Sequence, residues 1–264
     1  MGYKTLDVTE RGGAVWITLN RPEALNSINQ DVIQDLVEVL NSAIDQEPVA
    51  IVLTGKGRAF CTGADLKWAK AAFADGLSAD TRKWLMRVGE VMNRLERSPV
   101  PTIAAVNGVC VAGGCELLCS VDLAVAAESA LIGDAHSNYG LLPGGGASIR
   151  LPLLVGLRNA KRLLFLGEML PAAEAKDIGL VNWVVPDDQL EAKVDEIVAA
   201  LASKAPGGLG KMKYLANFAH RASPEIGLEM ELAVFFDHIN ASDEIKEGLA
   251  AFKEKRAPDF RKRS

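Results

Sequence analysis

The chain has little with which to hold a metal or a second polymer. It carries only three histidines, His136, His220 and His238, and four cysteines, Cys61, Cys110, Cys115 and Cys119. Three of the thiols crowd into one apolar run, yet they form no CxxC pair and no histidine neighbours them in sequence. That spacing argues against a zinc site and for small core thiols in a reducing compartment. No run of about eighteen apolar residues is present, which argues against a membrane-spanning helix. The opening MGYKTLDVTERGG lacks the apolar centre of a signal peptide. These absences lead us to expect a cytoplasmic protein. A basic stripe is missing too: the formal net charge is −5, and only the short tail FKEKRAPDFRKRS is basic. Nucleic acid is therefore not expected as a main partner, nor is a membrane.

What is there is an ordinary globular composition. Of 264 residues, 49% are hydrophobic and 24% charged, enough for a sizeable core without disulfides or a structural metal. AVWITLNRP, Ala14 to Pro22, reads as a β segment after the turn RGG. Asn29 is placed to cap a helix through about Gln46, with Val32, Ile33, Leu36, Leu40, Ala43 and Ile44 on one face. VAIVLTG and VPTIAAVNG read as buried strands, GGCELLCS as a short helix and VDLAVAAE as a further strand. Residues 69–97 read as mostly helical, with a polar interruption near Asp75 to Asp80. Strands alternate with helices over residues 10–185, which argues for an α/β fold with largely parallel pairing. From Asp187 onward the pattern is helical, with KAPGGLG and ASPEIG read as breaks. The expected organisation is an α/β core over residues 1–186 and a helical C-terminal region over residues 187–264.

Two segments share one design: VAIVLTGKGRAFCTGADLKWA and TIAAVNGVCVAGGCELLC each run from a buried strand through a glycine-rich turn into a helix. Glycine lets backbone approach a ligand, and the first N–H groups of a helix lack internal partners. Two such donors aimed at one carbonyl oxygen would stabilise an enolate. Glu116 stands one turn into the second helix, a lone carboxylate in apolar surroundings. An unpaired buried carboxylate is costly, so it marks a candidate proton-transfer group. The plainer alternatives are a helix-start carboxylate favoured by the dipole, and turn chemistry for the glycines.

NRPEALNSIN, GRAFCTGADL, NGVCVAGGCELLCSVDLAVA, GLLPGGGASIRLPLLVG, the stretch EAKDIGLVNWVV and FKEKR, in that order, resemble the landmarks of the enoyl-CoA hydratase/isomerase (crotonase) family over almost the whole chain. The resemblance implies a spiral of ββα repeats and a helical C-terminal region that builds a homotrimer or a dimer of trimers. It also implies an acyl-CoA thioester substrate. No separate cofactor is implied, because CoA belongs to the substrate. By position, the oxyanion N–H groups would be those of Ala64 and Gly113. Arg21, Ala24, Leu25, Thr62, Ala64, Asp65, Leu66 and Lys67 would line the CoA groove, and Phe252 and Lys255 would close over it. Glu116 matches the first of the hydratases' two catalytic glutamates.

At the second glutamate the chain departs from the pattern. A gapless alignment through IGDAHSNYGLLPGGG puts His136 there, twenty residues after Glu116. A lone histidine is more often structural than catalytic, but an imidazole at that position can exchange a proton near neutral pH. Asp134, two residues earlier, is a candidate to orient its ring. The expected reaction is hydration of a 2-enoyl-CoA. Double-bond isomerisation, thioester or C–C hydrolysis, dehalogenation, and acyl-CoA binding without turnover remain alternatives.

Overall fold

A computed structural model describes residues 2–73 and 78–261 of the chain. It opens on an antiparallel hairpin, β1 (Leu6–Arg11) and β2 (Ala14–Leu19), which turns at Gly12 and Gly13. Helix α1 (Gln30–Asp45) follows. The Asn29 side chain caps it by accepting from the Val32 N–H at 3.0 Å, as the sequence suggests. Its buried apolar residues are Val32, Ile33, Leu36, Val39, Leu40 and Ala43, with Asp35 buried among them.

The chain then repeats one unit. β3 (Ile51–Gly55) and β4 (Ala59–Cys61) lead to α2 (Leu66–Phe73) and α3 (Ala79–Arg97). β5 (Thr102–Val106) and β6 (Val109–Val111) lead to α4 (Gly113–Leu118). β7 (Leu123–Ala127) and β8 (Leu131–Gly133) lead through a 3₁₀ turn, His136–Tyr139, to α5 (Ala147–Leu166). In each unit the first strand joins one sheet and the second strand another. β9 (Leu170–Pro171), α6 (Ala172–Asp177) and β10 (Trp183–Val185) complete the two layers. The larger sheet runs β1-β2-β3-β5-β7-β10 and the smaller β4-β6-β8-β9; pairing is parallel except for β1 with β2 and β8 with β9. The product is a spiral of ββα units, the expected α/β class.

Burial explains why the long strands are mainly apolar rather than alternating. Ile51, Leu53, Ala104 and Val106 face the main core with α1 and α3, whereas Val52, Ile103, Ala105 and Val125 face a second core. A parallel strand covered on both faces has no polar side to show. The second core is closed by α7 (Leu190–Ala202), through Leu190, Val194, Ile197 and Val198.

α8 (Pro206–Ala219), α9 (Pro224–Ala241) and α10 (Glu244–Glu254) follow. Here the expected break at KAPGGLG needs correction, because Pro206 to Gly210 form the first turn of α8. Proline suits the first helical position, where its missing N–H is not needed. The Glu244 carboxylate accepts from the N–H groups of Gly207 and Gly208 at 2.8 and 2.9 Å. The ASPEIG break shortens in the same way, with α9 starting at Pro224 behind the Ser223 cap. Of the expected interruption near Asp75 to Asp80, residues 75–77 lie outside the described part.

Candidate active site

The two strand-turn-helix segments meet. Ile28 forms a parallel bridge with Ala64: its N–H donates to Gly63 O at 2.7 Å, and its carbonyl accepts from the Asp65 N–H at 3.0 Å. This pattern uses the residues on either side of Ala64 and directs the Ala64 N–H the other way. Gly113, the first residue of α4, has no intrahelical acceptor for its own N–H. The turns are packed backbone to backbone. A β-carbon on Gly63 would stand 2.6 Å from Ala112 Cβ and 2.8 Å from Gly113 N; one on Gly114 would stand 2.1 Å from Cys61 O. Only glycine permits this approach, and Gly63 also sits at φ +82°. Ala112, just before α4, is held at φ 51° and ψ −119°, a region L-residues avoid. Such a conformation costs on the order of 1–3 kcal/mol and persists only where the surroundings impose it.

Glu116 is 3% exposed. Its Oε1 accepts from the N–H groups of Gly145 at 2.6 Å and Ala147 at 3.3 Å, in the PGGG turn and first residue of α5. Burial raises its pKa, opposed by the Ala147 N–H, the nearby His136 and the Gly145 N–H; the net shift is upward. A buried carboxyl group with a raised pKa, set among backbone donors, holds a proton more readily than a free glutamate and suits a proton-transfer role.

His136 opens the 3₁₀ turn, and it and Glu116 are close enough for each to act on the other's charge. Its Nδ1 lies 3.0 Å from Oδ1 of Asp134, which is fully buried. The Asp134 Oδ2 accepts from the His136 backbone N–H at 3.3 Å. Burial works against a charged ring, but the Asp134 hydrogen bond and the Asp134 and Glu116 charges outweigh it and raise the pKa. The structure thus brings Glu116, His136 and Asp134 together.

The groove residues divide. Arg21 reaches Asp65 at 3.0 Å and Ser27 O at 2.6 Å. Asp65 in turn accepts from the N–H groups of Lys67 and Trp68, at 3.1 and 3.3 Å. Burial opposes the charge on Asp65, yet Arg21 and these N–H donors win and lower its pKa. Thr62 Oγ1 donates to Leu25 O at 3.2 Å, and Ala24 ends the short 3₁₀ turn Pro22–Ala24. Arg21, Ala24, Leu25, Thr62, Ala64 and Asp65 therefore sit on two adjoining loops, with Leu66 and Lys67 exposed at the start of α2. Phe252 and Lys255 are also exposed, at the far end of α10, with no hydrogen bond to those loops among the described residues.

One contributor escaped the sequence reading. Asn26 is 1% exposed and donates to Lys56 O and Ala59 O at 3.0 and 2.7 Å, while accepting from the Arg21 N–H at 3.0 Å. It pins the Arg21 loop to β4. An asparagine in a turn motif is too common for its sequence to announce this. The four thiols are free and buried; burial pushes Cys61 up to about 12, which suits packing rather than nucleophilic chemistry.

A family model described as Enoyl-CoA hydratase/isomerase matches residues 9–263. The chain is 34% identical over 263 residues to the crotonyl-CoA hydratase of Syntrophomonas wolfei, covering 98% of this chain and 99% of that one. It is 34% identical over 258 residues to the short-chain-enoyl-CoA hydratase of Clostridium acetobutylicum, with 97% of each covered. Its fold superposes on the crystal structure of an enoyl-CoA hydratase from Bacillus anthracis with a TM-score of 0.91 at 34% identity, covering 97% of this chain and all of that one. With matches along nearly the full length, the chain belongs to the enoyl-CoA hydratase/isomerase family.

Proposed function

We propose that this protein hydrates a 2-enoyl-CoA. The observation that carries the reading is the convergence of Glu116, His136 and the two interlocked turns on one site. The thioester oxygen would lie between the N–H groups of Ala64 and Gly113, where negative charge grows as the enolate forms. Losing one such donor typically costs ~3 kcal/mol in the transition state, so this pair carries the largest catalytic share. Glu116 takes a proton from water while the hydroxyl bonds to C3. The C2 carbanion centre of the enolate then takes a proton from the His136 imidazolium. Proton transfer from Glu116 to His136 restores the resting pair, so one water is consumed and no proton is left over. CoA lies along Arg21, Ala24, Leu25, Thr62 and Asp65 to Lys67, with Phe252 and Lys255 closing over it. CoA is part of the substrate, and no other cofactor is called for. Relatives named short-chain-enoyl-CoA hydratase and crotonyl-CoA hydratase support a short acyl chain.

The same reading takes the protein to be a homotrimer or a dimer of trimers, acting in the cytoplasm. Helices α8 and α9 contain no buried residue, while Leu228, Leu232, Phe235 and Phe236 are more than half exposed. A second copy of the chain is a suitable cover for such a face.

The test is loss of the conjugated enoyl-thioester absorbance of crotonyl-CoA. Wild type is expected to turn it over, and Glu116→Gln to lose roughly 10²–10⁴-fold in kcat while still binding CoA esters. A Glu116→Gln enzyme with near-normal kcat would overturn the assignment. The Asp134–His136 pair favours one second reading, a different acyl-CoA reaction on the same oxyanion site. It predicts that wild type leaves crotonyl-CoA unchanged while still binding it.

A further inference from the structure

Asp134 makes two kinds of contact at the centre of the site. Its main-chain oxygen accepts from the Ala112 N–H at 2.9 Å, tying it to the strained residue from which α4 and Glu116 depart. Its carboxylate holds His136 twice, through Nδ1 at 3.0 Å and through the backbone N–H at 3.3 Å. Between them Ala135 is forced to φ 56°, ψ −2°, the left-handed conformation that folds the chain back so that residue 136 faces residue 134. A non-glycine residue held there signals that the surroundings dictate the turn. A fully buried carboxylate with both oxygens on one histidine is a built feature.

We infer that Asp134 is a positioning residue: it binds the His136 ring through Nδ1, leaves Nε2 as the face turned to substrate, and holds the ring as the acid of the reaction while Glu116 is the base. This rests on the hydratase reading of the site. The charge count supports it. Two carboxylates and one imidazolium leave one net negative charge and one mobile proton, the same balance as two carboxylates sharing a proton. The dyad can therefore stand in for a second glutamate without changing the net charge or the proton count of the site. Among the described residues the charged groups acting on the ring are Asp134, from its own loop, and Glu116, from α4. Arg162 of α5, the helix packed against this turn, is engaged with Glu168 and Glu174.

The sign follows. His136 is active when protonated, so kcat falls as pH rises through its raised pKa. Removing the Asp134 charge lowers that pKa and moves the falling limb to lower pH. The experiment is an NMR titration of the His136 imidazole in wild type and Asp134→Asn, with His136→Ala identifying the signal, beside kcat and KM for crotonyl-CoA. In wild type, Nδ1 should be the protonated nitrogen of the neutral ring and the midpoint should lie above the ordinary imidazole value. In Asp134→Asn the midpoint and the kcat limb should move down together, with kcat reduced roughly 10²-fold and KM changed less than about threefold. An unchanged midpoint, or a kcat within about threefold of wild type, overturns the proposal. Should Asp134→Asn fail to fold, the wild-type titration decides alone: an imidazole at or below its ordinary midpoint overturns it. The NMR readout needs no turnover. Failure to hydrate crotonyl-CoA with a raised, Asp134-dependent midpoint removes the hydratase reading and keeps the dyad.

Discussion

At the scale of single residues, the site turns on a carboxylate kept where water would serve it better. Glu116 has a pKa raised by burial, so folding binds its proton more tightly than the unfolded chain does. The sign is then fixed. Stability is lost as pH rises from the unfolded value through the folded one, and above that window the ionised side chain is a net cost. Glu116→Gln keeps an oxygen for the Gly145 N–H and removes the charge. It should raise the melting temperature at pH 8 and leave it nearly unchanged at pH 4; a fall at pH 8, seen by calorimetry, would show that the carboxylate supports the fold. Glu116 was legible in the sequence because a charge in an apolar run stands out. His136 was legible only through the family resemblance, whose alignment through IGDAHSNYGLLPGGG puts it at the second glutamate. The N–H groups of Gly145 and Ala147 that hold Glu116 were not, since backbone donors carry no side-chain signature.

At the scale of elements, the site depends on two turns packed closer than side chains allow. Gly63→Ala would press a methyl group against Ala112 and Gly113 at a position with φ +82°. We expect a loss of about 1–3 kcal/mol in stability and a fall in kcat of roughly 10²-fold, since small misplacement of oxyanion donors is costly. Denaturant unfolding and the hydration assay on the same preparation measure both; unchanged kcat would dissociate this turn from the chemistry. The long elements were legible for physical reasons. α1 carries a capping asparagine and a wide apolar stripe, and β3 and β5 are apolar but for Thr54 and Thr102 because both faces are covered. The smaller sheet was not. β4, β6 and β8 have three residues each and β9 two, too few for any periodicity, and they pair only with partners distant in sequence. β1 was missed because all but Leu6 of its side chains are exposed, so the strand is polar along most of its length.

At the scale of the whole molecule, α8 is fixed to the body by polar bonds. Lys213 Nζ reaches Asp122 at 2.7 Å and Leu95 O at 2.8 Å, and Asn217 donates to Glu96 O at 2.9 Å. The apolar face of α9 is left over, and light scattering should find a trimer or hexamer. Leu232→Asp should shift that population toward smaller species, and a wild-type monomer at working concentration would contradict the assembly. The spiral architecture was legible only through the order of motifs, because the alternation of strands between two sheets leaves no local trace. The proposed proton transfer is tested most directly by the steady-state hydration of crotonyl-CoA by His136→Ala and His136→Glu, side by side with wild type. His136→Ala should lower kcat by at least ~10²-fold, whereas His136→Glu should retain or raise it, because a carboxyl group there restores a second acid. If both variants keep kcat within a few-fold of wild type and change only KM, His136 lines the pocket and Glu116 works alone.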